Sequence, residues 1–301
     1  MEQMKMETCK YSDATEEKGY RLSGRLGEGA TASVYRVEER ATGKIYACKI
    51  SDKKEWLQSE SELLQSLRHP LFPGCNEYWE TEDSGFLVME YVEGDSLQQH
   101  LDRRGSFAQE ETMRMALEIA DGLGYLHTRT PSIIYRDLKP SNLIIQPDGR
   151  IRLLDLGAAA IPDGWKAGTP GYASPEQQIC KDAVGKSHLR PTSDIYSLGV
   201  VMHYMLTGIN PCKAKAEIGP VSAYNPDVLW GLDDIVWRCT RLKSEERIPD
   251  MRALIQELGA YYNKGRMQIA RQEIGFLLGR RAKKQVVYEK DVWESLYKAE
   301  C

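Results

Sequence analysis

The chain has 301 residues, of which 42% are apolar and 28% charged, and a formal net charge of -4. That length and apolar share allow one two-lobed domain or two small domains to fold without covalent staples. The charge is spread with no dominant basic block, which argues against nucleic acid as a main partner. No run approaches the roughly 18 apolar residues of a membrane-spanning helix. Seven cysteines, Cys9, Cys48, Cys75, Cys180, Cys212, Cys239 and Cys301, are scattered and never form a Cys-x-x-Cys pair. They suggest neither a disulfide framework nor a zinc site, and a reducing cytoplasm fits best.

Residues 1–18 are polar, lack an apolar signal core and read as a mobile leader. From Tyr20 the texture changes to short β-rich runs, Tyr20-Arg21-Leu22, Ser33 to Val37 and Lys44 to Ile50, separated by glycine-bearing turns. Leu57 to Leu67 reads as a helix stopped by His69-Pro70, and Phe86 to Tyr91 as a buried strand. Glu93-Gly94-Asp95-Ser96 breaks that strand. Helical patterns follow over Gln109 to His127, Ser193 to Thr207, Leu232 to Leu242 and Met251 to Tyr261. The expected architecture is α+β and bilobal: a β-rich lobe over 19–91 with one key helix, a hinge at 92–96 and a larger helical lobe over 97–262. A helical tail over 263–301 completes it.

Three clusters carry the chemistry. Leu26-Gly27-Glu28-Gly29-Ala30-Thr31-Ala32-Ser33-Val34 lies between two predicted strands, where backbone amides can close over phosphates, although a plain hairpin turn fits the same residues. Lys49 follows Ala47 by two positions, so both project from one face of a strand. An exposed strand lysine is the bland alternative. Asp137, Lys139 and Asn142 sit close together in Tyr135-Arg136-Asp137-Leu138-Lys139-Pro140-Ser141-Asn142, with Asp155-Leu156-Gly157 thirteen residues beyond that asparagine. Each alone reads as a turn residue.

As a set, these motifs resemble the eukaryotic-like serine/threonine protein kinases over about residues 20 to 262, with a texture most like bacterial members. The resemblance implies a bilobal fold binding ATP and Mg²⁺. It makes Leu26, Gly27, Glu28, Gly29, Val34, Ala47, Lys49, Glu90, Val92, Ile144 and Asp155 nucleotide-contacting residues, with Met89 limiting the depth of the pocket. Glu60 is implied as the helix partner of Lys49, with Glu62 as the alternative register. Asp137 becomes the base or orienting group for the acceptor hydroxyl, and Lys139 neutralises charge on the transferring phosphoryl group. Asn142 and Asp155 become the metal ligands. Gly168 to Glu176 resembles the substrate-facing loop and its closing motif, whose Glu176 is implied to pair with Arg247, while Asp194 is implied to anchor the catalytic loop. Lys139 and Thr169 point to protein serine or threonine acceptors.

This chain departs from the family pattern at Ala32, Tyr135 and Leu156, none of which removes a catalytic group. Between Gly157 and Gly168 it has no serine, threonine or tyrosine. Activation by phosphate on that segment is therefore not expected, and packing through Ile161 and Trp165 is expected to hold it. In the tail, Met267, Ala270, Ile274, Leu277 and Leu278 form an apolar stripe ahead of Arg280 to Lys284, suited to docking on the large lobe or on a partner. Two rival readings stay open: a pseudokinase scaffold that binds nucleotide or a partner without turnover, and a small-molecule kinase of the antibiotic-phosphorylating type.

Overall fold

The structure is a computed structural model that describes residues 11–29, 31–161, 168–178, 189–213 and 218–262. These form two compact units. The first takes in the described residues up to Asp95 and those from Leu143 to Ile161, and the second takes in Ser96 to Asn142 and those from Gly168 onward.

In the first unit, five antiparallel strands run β1 Tyr20–Glu28, β2 Ser33–Glu39, β3 Ile45–Ser51, β4 Cys75–Glu80 and β5 Gly85–Glu90, in the spatial order β1-β2-β3-β5-β4. Register sorts the side chains, because cross-strand partners share a face. Val34 pairs with Lys49, Lys49 with Leu87 and Ala47 with Met89, which places these five on one face. The alternate residues Tyr35, Val37, Tyr46, Cys48, Ile50, Phe86 and Val88 join Tyr20 and Trp79 in an aromatic-rich core on the other face. Residues 11–17 are helical and pack against that core, with Tyr11 edge-on to both Tyr35 and Phe86 and Thr15 fully buried. The reading of a mobile leader up to residue 18 therefore fails for 11–17, because their three inward residues cover apolar surface the sheet would otherwise expose.

The helix Lys54–Ser66 buries Leu57, Glu60, Ser61 and Leu64, one face at helical spacing, and the chain turns extended at Leu67. The hairpin Leu143–Ile145 and Ile151–Leu153 belongs to this unit rather than to the helical lobe that the sequence suggested. Two contacts explain why. The Leu153 amide donates to the Leu71 carbonyl at 2.8 Å, and Arg152 donates to the Glu90 carboxylate and the Phe72 carbonyl.

The second unit is helical: Leu97–Arg104, Gln109–His127, the short Pro175–Gln178, Pro191–Thr207, Trp230–Cys239 and residues 251–262. Pro191–Thr207 is buried on nearly every side and packs against both Gln109–His127 and Trp230–Cys239. At Gly199 any Cβ would lie 2.5 Å from that of Cys239, so glycine is what permits the approach. Among the described residues, no helix is long and apolar enough to cross a membrane.

Candidate active site

Lys49 comes from the central strand, so its ammonium is buried and needs partners. Both Glu60 oxygens accept from it, at 2.9 and 2.7 Å, and Asp155 Oδ1 accepts at 2.8 Å. Burial works against the charged ammonium, yet attraction to Glu60 and then Asp155 outweighs it and holds Lys49 above the ordinary lysine value. Glu62 is exposed and accepts instead from Gln58, so the helix register brings Glu60 to the lysine. Asp155 adopts the left-handed backbone conformation (φ 62°), which is unfavourable for a non-glycine residue. The Gly157 amide donates to its Oδ1 at 3.1 Å. A Cβ at Gly157 would lie 3.0 Å from that oxygen and 3.3 Å from Lys49 Nζ, which explains the glycine.

The remaining nucleotide-site candidates of this unit surround that cluster in sequence and register. Leu26, Gly27, Glu28 and Gly29 are exposed at and beyond the end of β1, with Glu28 paired to Arg25 and the Gly29 amide donating to the Ala32 carbonyl. Val34, Ala47 and Met89 share the face of Lys49. Val92 is buried, and Ile144 lies against Gly94, where a Cβ would come within 2.2 Å of the Ile145 carbonyl oxygen. The Glu90 side chain has a partner that sequence reasoning missed. Hydrogen bonds from Arg152 hold its carboxyl below the usual carboxylate value and tie the end of β5 to the hairpin.

In the second unit, Asp194 is fully buried and accepts from the Tyr135 amide at 2.8 Å and the Arg136 amide at 2.9 Å, while His127 Nε2 lies 2.8 Å from its Oδ2. This fixes the backbone leading into Asp137. Asp137 Oδ2 accepts from Lys139 Nζ at 2.7 Å and Oδ1 from the Thr169 hydroxyl at 2.7 Å, while Lys139 also donates to Thr169 at 2.9 Å. One carboxylate, one ammonium and one hydroxyl thus form a closed triangle. Asn142 donates its amide nitrogen to the Asp137 carbonyl at 3.0 Å, a bond that does not use its side-chain oxygen. Tyr135 is fully buried, with its hydroxyl 3.4 Å from the Asn142 amide nitrogen, and Leu156 in the first unit is likewise buried.

Glu176 and Arg247 form a two-pronged ion pair at 2.6 and 2.8 Å, and Ser193 donates to the same carboxylate at 2.8 Å. Burial pushes the Glu176 carboxyl up, but the hydrogen bonds from Arg247, the backbone and Ser193, with the Arg247 charge, together outweigh this and hold it below its ordinary value. Trp165 and the tail positions lie outside the described residues. Gln177 was not singled out in the sequence, although its place three residues after Ser174 is a recognisable helix-start signal.

A protein kinase domain model matches residues 20–270. Among similar proteins, sperm motility kinase 2A of Mus musculus is 32% identical over 206 residues, covering 65% of this chain and 40% of its own. Serine/threonine-protein kinase cds1 of Schizosaccharomyces pombe is 30% identical over 269 residues, covering 80% of this chain and 58% of its own. The RAC-beta serine/threonine-protein kinase of Homo sapiens is 36% identical over 200 residues, covering 62% and 40%. The alignments thus span between two fifths and three fifths of these relatives' lengths. All three are eukaryotic, so the expected likeness to bacterial members is not supported.

Proposed function

The chain belongs to the protein kinase domain family, and on that footing we propose that it transfers the γ-phosphate of Mg-ATP to serine or threonine hydroxyls of a protein substrate. The observation that carries this reading is the Asp137 carboxylate held between Lys139 and Thr169. In that position Asp137 orients the acceptor hydroxyl and takes its proton, and Lys139 offsets charge gathering on the transferring phosphoryl group. Positioning and charge neutralisation supply most of the acceleration in such transfers.

Lys49, fixed by Glu60, is assigned to the α- and β-phosphates. Leu26, Gly27, Glu28, Gly29 and Val34 are assigned to the loop over the phosphates, and Ala47, Ile144 and the Glu90 and Val92 backbone to the adenine. The Asn142 oxygen and the Asp155 carboxylate, whose side chain is 46% exposed, are hard oxygen donors of the kind Mg²⁺ prefers. When bound, Mg²⁺ supplies positive charge to the phosphate oxygens. We assign the catalytic domain to 19–262 and the protein to the cytoplasm, the latter on its cysteine usage. Activity without phosphate on the segment after Asp155 is part of the proposal. Its support is the lack of acceptor residues there and the packing of Gly157–Ala160 on the Lys54–Ser66 helix. The intact Lys49, Glu60 and Asp155 cluster weighs against a scaffold without turnover.

The test is transfer of labelled γ-phosphate from Mg-ATP to generic basic proteins, followed by phosphoamino-acid analysis. Phosphoserine or phosphothreonine is expected. Phosphotyrosine alone, or no transfer despite nucleotide binding, would overturn the reading.

A further inference from the structure

Gln177 occupies a node between the loop that resembles a peptide-holding segment and the loop carrying Asp137. It is 5% exposed and lies at the third position of the short helix Pro175–Gln178. Its Oε1 accepts from the Ser174 amide at 3.0 Å and from the Ser174 hydroxyl at 3.1 Å. That is the ordinary reach of a third-position side chain back to the residue before a helix, and a glutamate would serve equally well. The other end of the side chain makes the unusual contact. Gln177 Nε2 donates to the Arg136 carbonyl at 2.7 Å, a bond that an ionised glutamate in its place, an acceptor only, could not make.

That carbonyl belongs to the residue before Asp137. Arg136 has φ 71°, a left-handed conformation that a non-glycine residue holds only when its surroundings fix it. Its amide is fixed by Asp194 and its carbonyl by Gln177. Gly168 packs into the same node, where a Cβ would meet Ala173 Cβ and Gln177 Nε2 at 3.0 Å and the Arg136 oxygen at 3.1 Å. One residue later Thr169 bonds to Asp137 itself.

We propose that Gln177 is a positioning residue that locks the 168–174 loop to the Arg136–Asp137 peptide, so that the loop presenting the acceptor hydroxyl and the carboxylate receiving its proton are held in one register. This rests on the kinase reading above. It assigns Gln177 two separable jobs: capping the short helix through Ser174, and bridging to Arg136.

Two variants separate the jobs. Gln177→Glu, assayed at pH 8.5 where the carboxyl is ionised, keeps the cap and loses the bridge. Ser174→Ala keeps the bridge and loses only the hydroxyl half of the cap. For Gln177→Glu the expected result is a fall in kcat for peptide phosphorylation of about tenfold or more, with unchanged KM for ATP. Ser174→Ala should lose several-fold less kcat than Gln177→Glu on the same reading. Melting temperatures are measured alongside, because a purely structural role would lower kcat only together with stability and nucleotide binding. Gln177→Glu activity within twofold of wild type, or equal losses in both variants, would overturn the inference. Absence of transfer by the wild-type protein would instead overturn the kinase reading.

Discussion

A lysine in the middle of a sheet keeps its charge only if carboxylates reach it, and Lys49 has two, from Glu60 and Asp155. Their convergence depends on Gly157, whose missing side chain leaves room for Asp155 Oδ1 and the lysine. Gly157→Ala should lower kcat/KM roughly 10- to 100-fold through sub-ångström displacement of Asp155, with only a small loss of stability. Steady-state kinetics and a thermal melt on the same preparation check this, and unchanged kcat/KM would contradict it. Lys49 and Asp137 were legible in the sequence because motif spacing carries them. The side-chain role of Glu90 was not, because its partner Arg152 is 62 residues away and nothing local signals the pairing.

At the level of elements, Pro175–Gln178 is too short to hold itself and depends on the Glu176 and Arg247 pair. The Arg247 side chain is fully buried, so Glu176→Gln leaves an uncompensated charge and should cost about 3–5 kcal/mol of stability. The pH effect follows from the sign of the shift. Because the folded carboxyl lies below its ordinary value of 4.5, its contribution is complete above that value and fades as pH falls beneath it. Denaturant melts at pH 7 and pH 3.5 should therefore show a smaller gap between wild type and Glu176→Gln at the lower pH, and a constant gap would contradict the assignment. Gln109–His127 appears with the bounds its sequence pattern gives, since nineteen residues of helical periodicity leave little ambiguity. β4 was missed because it is an edge strand of mostly polar residues in which only Trp79 is buried. The 11–17 helix was missed for a related reason, as its inward residues Tyr11, Ala14 and Thr15 make no apolar run.

For the molecule as a whole, the segment between Gly157 and Gly168 offers no hydroxyl to a phosphorylating enzyme. Phosphatase treatment of active protein should therefore leave kcat within about twofold, because no phosphate on that segment pairs with Arg136. Loss of activity together with a mapped phosphate on Thr169 or Tyr172 would contradict this. The most direct test of the role of Asp137 replaces one oxygen of its carboxylate. Nucleotide affinity and γ-phosphate transfer to a serine/threonine peptide are measured for wild type and Asp137→Asn. The variant should keep a similar ATP affinity and show a kcat lower by about 10²- to 10⁴-fold. Equal transfer by both proteins would contradict it.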